Sequence, residues 1–215
     1  MQLGAFGIVE LLYTTLLSIL AFFLGACPFS LWVGRWFLGR DIRDYGDGNP
    51  GAVNVFRAGG RRAGWFALAL DVAKGFPFVF LAHSFFGLSE VAVVFVALAP
   101  ILGHAFSPLL RFKGGKSVAV TFGVLLALPQ HAVLFSFAAF IVLGFLFIEG
   151  DSWIVVLGAG GSLAYLAVTT GGSWESLFML CLLIVLVIKH LDRLQSLPRY
   201  KGRLFLWLQS MRRQG

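Results

Sequence analysis

Long apolar runs recur along this chain with only short polar breaks between them, and each approaches the length that carries a helix through a bilayer. A spanning helix needs roughly 20 mostly apolar residues. Lipid offers backbone groups no hydrogen-bond partner, so only helices and closed barrels span. The strand-like alternation of a membrane barrel is absent, which leaves a helical bundle. Composition agrees: 59% of residues are hydrophobic and 13% charged, the mean hydropathy is +0.87, and soluble domains carry roughly 25% charged residues. The fold expected is an all-α integral membrane protein with one bundle domain at 1-198 and a basic amphipathic tail at 199-215.

The charges organise the bundle. All 17 Lys and Arg fall in three clusters, Arg35 to Arg62, Arg111 to Lys116 and Lys189 to Arg213, with Lys74 alone inside an apolar stretch. Basic loops face the cytoplasm, so even numbers of spans should separate the clusters. Two apolar segments, Gly64 to Phe86 and Val91 to Leu110, lie between the first and second clusters, turning at Gly87-Leu88-Ser89-Glu90. Four lie between the second and third: Val118 to Leu128, His131 to Phe147, Trp153 to Thr169 and Ser176 to Ile188. With a first span at Phe6 to Cys27 this predicts a seven-transmembrane-helix bundle, N-terminus outside, with glycine-rich cytoplasmic loops. The fourth segment is short: about 11 residues reach about 17 Å as a helix, so it starts earlier or is re-entrant. The first run lacks a basic region ahead of it and reads as a retained span, not a cleaved signal.

The same bias explains the net charge of +7 without nucleic acid. The tail interleaves Leu204, Phe205, Trp207, Leu208 and Met211 with basic residues, as in a helix lying among lipid headgroups. Cys27 and Cys181 have no metal-type spacing and read as packing residues. Asp71 and Lys74 are three apart on one helical face, and a charge inside a membrane segment is costly unless paired or near an aqueous edge. They form a structural pair or bind substrate. His104 and His190 are structural or are acids and bases. No oligomeric state is indicated.

Two stretches exceed what charge bias requires. In the first, Gly39 to Gly60, closely spaced glycines including Gly46 and Gly48 let backbone N–H groups approach an anion. Asn49 and Asn54 can donate there, and Arg57 can pair with phosphate. The second runs from Gly103 to Ser117. Gly114-Gly115 lies between Lys113 and Lys116, with the Ser117 hydroxyl at a helix start, so backbone donors and ammonium groups converge. It is not a nucleotide P-loop, because Leu110 stands where GxxxxGK[ST] has glycine.

The order GDGNPGAVN at 46 to 54, Arg57, Asp71-Val72-Ala73-Lys74-Gly75 and GHAFSPLLRFKGGKS at 103 to 117 resembles the bacterial acyl-phosphate-dependent glycerol-3-phosphate acyltransferases, the PlsY family. The likeness runs from about residue 15 to about 195. It implies a seven-span protein of the bacterial cytoplasmic (inner) membrane, its active face cytoplasmic. The implied reaction moves a fatty acyl group from acyl phosphate to the 1-hydroxyl of glycerol 3-phosphate. This yields lysophosphatidic acid for phospholipid biosynthesis, with membrane lipids around the site and no metal or other cofactor. A mixed anhydride is already activated, so such a protein needs chiefly to hold two anions together and stabilise the oxyanion. The resemblance gives catalytic roles to Asn49, His104, Lys116 and His190. It places Gly46, Asp47, Gly48, Asn54, Arg57, Lys74, Lys113, Gly114, Gly115 and Ser117 at the substrates. The HxxxxD pair of other glycerolipid acyltransferases is missing: the fifth residue after His83, His104, His131 and His190 is Leu88, Leu109, Ser136 and Gln195.

The chain departs from the family at defined places. Asp47 replaces the serine of GSGN, Val53 the threonine of GATN, and Ser117 the last glycine of GGKG. The serine-bearing VSLAS stretch has no clear match near Trp153 to Gly158. In the family's HRxNIxRL, Val187 stands for the histidine and His190 for the asparagine. A carboxylate at 47 would repel an anionic substrate unless protonated or paired with Arg43 or Arg57. Three readings follow: a working acyltransferase; a paralogue with a changed acceptor, or with catalysis lost and lipid or anion binding kept; and a small membrane transporter. Few ionisable residues at mid-membrane depth speak for the last.

Overall fold

The computed structural model of the chain describes residues 5–200, so the expected tail helix lies outside the described residues from 201 onward. Two compact units divide the chain, Met1–His131 and Ala132–Gly215.

The first unit opens with α1 (Ala5–Ala26), which gives way at Pro28 to α2 (Phe29–Leu38). The apolar run at Phe6 to Cys27 is thus followed directly by a second helix. Pro28 has no N–H to continue α1, and the carbonyls left over at the end of that helix need other donors. Ser107 Oγ donates to Ala26 O at 2.6 Å, and Lys74 Nζ donates to Cys27 O at 3.0 Å. At the far end of α2 the left-handed Gly39 donates to Arg35 O, and Arg40 N donates to Gly34 O at 3.3 Å, closing the helix.

A 3-10 turn at Ile42–Asp44 and the six-residue α3 (Ala52–Arg57) lead into α4 (Arg61–Ala73). Ile42 and Val55 are completely buried against Leu31, Val33, Ala58 and Ala67, so the polar loop between them rests on an apolar floor. The second expected span is broken after Ala73 and resumes at Pro77 as α5 (Pro77–Phe80), followed by a π turn, Leu81–Phe85. Gly75 lies in the break, where a Cβ would strike Val120 O, while Gly123 would strike Val72 O. Backbone thus meets backbone where α4 crosses α7 (Val118–Ala127), the small-residue packing that membrane helices favour. Likewise α6 (Glu90–Ala105) packs along α1, with Gly25 against the Pro100 backbone and Gly103 against Phe22 O. α7 begins at Val118 and has 10 residues, about 15 Å, so it does not start earlier as was one expectation.

The second unit comprises α8 (His131–Phe147), α9 (Asp151–Thr170) and α10 (Trp174–Leu194). Phe137 and Ile141 of α8 lie over Gly158 of α9, and α9 packs on α10. β1 (Ile148–Glu149) and β2 (Arg199–Tyr200) form a two-residue antiparallel pair, a detail the apolar pattern did not announce. Trp153 Nε1 donates to Ser196 O at 2.8 Å and ties the end of this unit down.

Among the described residues four helical stretches are long and apolar enough to cross a membrane: Gly7–Leu38, Arg61–Phe85, Glu90–Leu110 and Asp151–Thr170. Val118–Ala127 and His131–Phe147 are shorter apolar helices. Cys27 and Cys181 are both free thiols.

Candidate active site

The first loop is built around two aspartates with different work. Asp41 caps the 3-10 turn, accepting from Arg43 N at 3.0 Å. It also accepts from Arg43 Nε at 2.9 Å, Arg43 Nη2 at 2.6 Å and Arg35 Nη2 at 2.9 Å. The Arg43 hydrogen bonds hold its carboxyl well below the usual carboxylate range against the cost of burial. Arg43 is therefore spent on Asp41 and is not the partner expected for Asp47.

Asp47 faces the other way. Its carboxylate takes Lys116 Nζ at 2.7 Å, Asn54 Nδ2 at 2.9 Å and Asn49 N at 3.2 Å, with Arg57 Nη1 at 3.7 Å. Burial opposes its charge, but hydrogen bonding and attraction from Lys116, together with the Asn49 and Asn54 donors, outweigh burial and keep it ionised. Asn54 is 1% exposed, donates also to Asn49 O at 2.9 Å and accepts from Arg57 Nη1 at 3.1 Å. Gly46 makes this possible: its φ is +59°, and a Cβ there would occupy the space of the Arg57 and Asn54 side chains.

The second loop leaves α6 after Ala105 and folds back onto His104. Phe112 N donates to Ser107 O at 2.8 Å, and Gly115 N donates to His104 O at 3.0 Å. A Cβ on Gly114 would collide with His104 O and one on Gly115 with the His104 ring, so this Gly-Gly lets the loop lie flat on the buried histidine. Ser117 has φ +62°, a left-handed value costing a non-glycine residue roughly 1–2 kcal/mol. Its Oγ donates to Ile101 O at 3.1 Å, which offsets the strain and turns the hydroxyl toward α6. Lys113 is exposed and Lys116 half-buried.

Of the residues singled out in the sequence, the structure brings together Asp47, Asn49, Asn54, Arg57 and Lys116, and separately packs His104 against Gly114 and Gly115. Lys74 sits elsewhere, 3% exposed, 2.8 Å from Asp71 Oδ1 and 5.6 Å over the Phe29 ring. Ser30 Oγ donates to Asp71 Oδ2. His190 lies in the second unit, 2% exposed, with Nδ1 2.7 Å from Leu186 O. Sequence reasoning missed Ser30 and Ser107. Ser107 lies two residues past the end of α6 and precedes proline, a placement that could have marked it as a tie.

The sequence model described as "Glycerol-3-phosphate acyltransferase" matches residues 15–199. The chain belongs to the glycerol-3-phosphate acyltransferase family. A glycerol-3-phosphate acyltransferase of Lactococcus lactis subsp. lactis (strain IL1403) is 34% identical over 191 residues, 87% of this chain and 89% of that one. Another, from Wolbachia pipientis subsp. Culex pipiens (strain wPip), is 35% identical over 201 residues, 89% of this chain and 98% of the relative. The fold is similar to the crystal structure of PlsY, an integral membrane glycerol 3-phosphate acyltransferase. Its glycerol 3-phosphate form aligns with TM-score 0.75 and 28% identity over 90% of this chain and 98% of that one. Its lysophosphatidic acid form aligns with TM-score 0.72 and 28% identity over 84% and 89%. This member of the glycerol-3-phosphate acyltransferase family is a helical, multi-pass membrane protein.

Proposed function

We propose that the protein transfers a fatty acyl group from acyl phosphate to the 1-hydroxyl of glycerol 3-phosphate, releasing lysophosphatidic acid and inorganic phosphate. The observation that carries this reading is the junction of the two glycine-rich loops, where Lys116 of one meets Asp47 of the other, which also takes Asn54 and Arg57. Both substrates carry phosphate, and this junction gathers cationic and amide donors around an anionic group. The hydroxyl oxygen attacks the acyl carbonyl carbon, the bond from that carbon to the phosphate oxygen breaks, and phosphate departs with the electron pair. The hydroxyl proton ends on the released phosphate. No covalent enzyme intermediate is required, so positioning and oxyanion stabilisation carry the catalysis.

In this reading Lys116 and Asn49 act on the reacting phosphate and carbonyl oxygens, with His104 as a further catalytic group. Gly46, Gly48, Asn54, Arg57, Lys113, Gly114, Gly115 and Ser117 form the binding surface. Lys74, whose ammonium is taken up by Asp71 and Cys27 O, belongs to the framework that holds the loops. Seven crossings with the N-terminus outside put both loops on the cytoplasmic face of a bacterial inner membrane. The support is the parity of the three basic clusters.

The test is purified protein given acyl phosphate and a panel of phosphorylated polyols. Lysophosphatidic acid formed with glycerol 3-phosphate supports the reading. Turnover with only another polyol phosphate would move the acceptor, and none with any would favour a non-catalytic paralogue.

A further inference from the structure

The donors a phosphate needs at this junction are already turned on a carboxylate of the protein itself. Lys116 Nζ, Asn54 Nδ2 and the Asn49 N–H lie within 3.2 Å of Asp47, and Arg57 Nη1 within 3.7 Å. They come from both loops and from α3, so the carboxylate takes the place among them that a ligand oxygen would take. The two cations, Lys116 and Arg57, face one built-in negative charge, and an arriving phosphate meets a cradle partly neutralised from within.

We propose that Asp47 is an internal anion that occupies the phosphate cradle and must yield Lys116 to the substrate, so that this residue sets phosphate affinity. The inference rests on the acyltransferase reading above. Asp47 is carried between Gly46 and Gly48, whose φ values are +59° and +73°, so neither chain neighbour packs a side chain against it. Its own side chain is 16% exposed, so part of it already meets solvent. Two effects compete. The pairing orders Lys116 and Asn54 before a ligand arrives, which lowers the cost of binding. Against that, each binding event must break a short charge-assisted contact and put two anions beside each other. The contact is short and its side chains are only 17% and 16% exposed, so the second effect wins. Serine at 47 would accept or donate a hydrogen bond and leave the Lys116 charge unopposed.

The experiment uses the full-length protein in detergent with glycerol 3-phosphate and, separately, inorganic phosphate as titrants, comparing Asp47→Ser and Asp47→Asn with the parent. We expect both dissociation constants to tighten about three- to tenfold in each variant, the scale of a partly exposed ion pair. KM for glycerol 3-phosphate should fall in step while kcat changes less. A residue that merely supported the loop would give weaker binding on replacement, never tighter. Unchanged or weaker binding in a folded variant overturns the proposal, and so does loss of the folded protein in both, which would make Asp47 scaffold. Acyl transfer by the parent separates the two claims. Turnover with unaltered affinities sinks only the role of Asp47, whereas no turnover and no phosphate binding in any form sinks the acyltransferase reading and this inference together.

Discussion

Lys116 is the nearest cation to Asp47, and its ion pair joins the second loop to the first. Lys116→Ala removes the charge on which any phosphate at the junction would depend, and Asn49→Ala removes a side-chain amide from the first loop. Each should abolish lysophosphatidic acid formation in membranes where the protein is still expressed, and full activity in either would remove that residue from the site. Gly115→Ala should lower activity by driving the loop off the His104 ring. Asp41 and Asp47 both have carboxyls lowered from their ordinary values. A depressed carboxylate contributes stability above its unfolded value and loses it only as pH falls through the folded one. Melting followed from about pH 8 down to about pH 5 should therefore show no loss from these two groups, and a step in that range absent from Asp47→Asn would contradict the pairing. At this scale the sequence was legible for glycines and amides and for one of the two arginines expected beside Asp47, Arg57. Arg43 looked available to Asp47, yet an Asx-type contact two residues away claimed it for Asp41. The closest partner, Lys116, lies on another loop, where no local rule reaches.

Between elements, the buried pair Asp71–Lys74 fastens α4 to the break between α1 and α2. Both side chains are almost fully enclosed, so removing one leaves the other charged and unpaired. Lys74→Met or Asp71→Asn alone should destabilise by about 3–5 kcal/mol, read as a lower melting temperature in detergent. The double variant should lose less than the sum of the singles; strict additivity would dissolve the pair. The apolar lengths of these helices were readable because hydrophobic runs depend on composition alone. Their interruptions at Pro28 and around Gly75 to Pro77 were not, since a break is stable only where distant groups such as Ser107 and Lys74 satisfy the freed backbone. The same dependence explains Ser117, whose left-handed φ is tolerable only because Ile101 O is at hand.

For the whole molecule, the parity of basic clusters makes a claim about sidedness that chemistry can check. With Cys27 and Cys181 replaced, a thiol at Lys113→Cys should react with an impermeant reagent only from the cytoplasmic side, and one at Ser89→Cys only from outside. Both residues are exposed, and labelling of the two from one side would break the seven-span topology. The membrane class was legible because lipid imposes one rule on every residue. The short α7 was also foreseen. What composition could not supply was the way α1 ends. Its last carbonyls wait for Ser107 and Lys74, residues not yet synthesised when α1 first meets the bilayer. A lone second span would carry Asp71 and Lys74 toward lipid, where a charge at mid-helix costs about 2.5–3.5 kcal/mol. Biogenesis therefore favours holding early segments at the insertion machinery until they can leave together, so truncation after α4 should expose the chain to degradation more than truncation after the second loop.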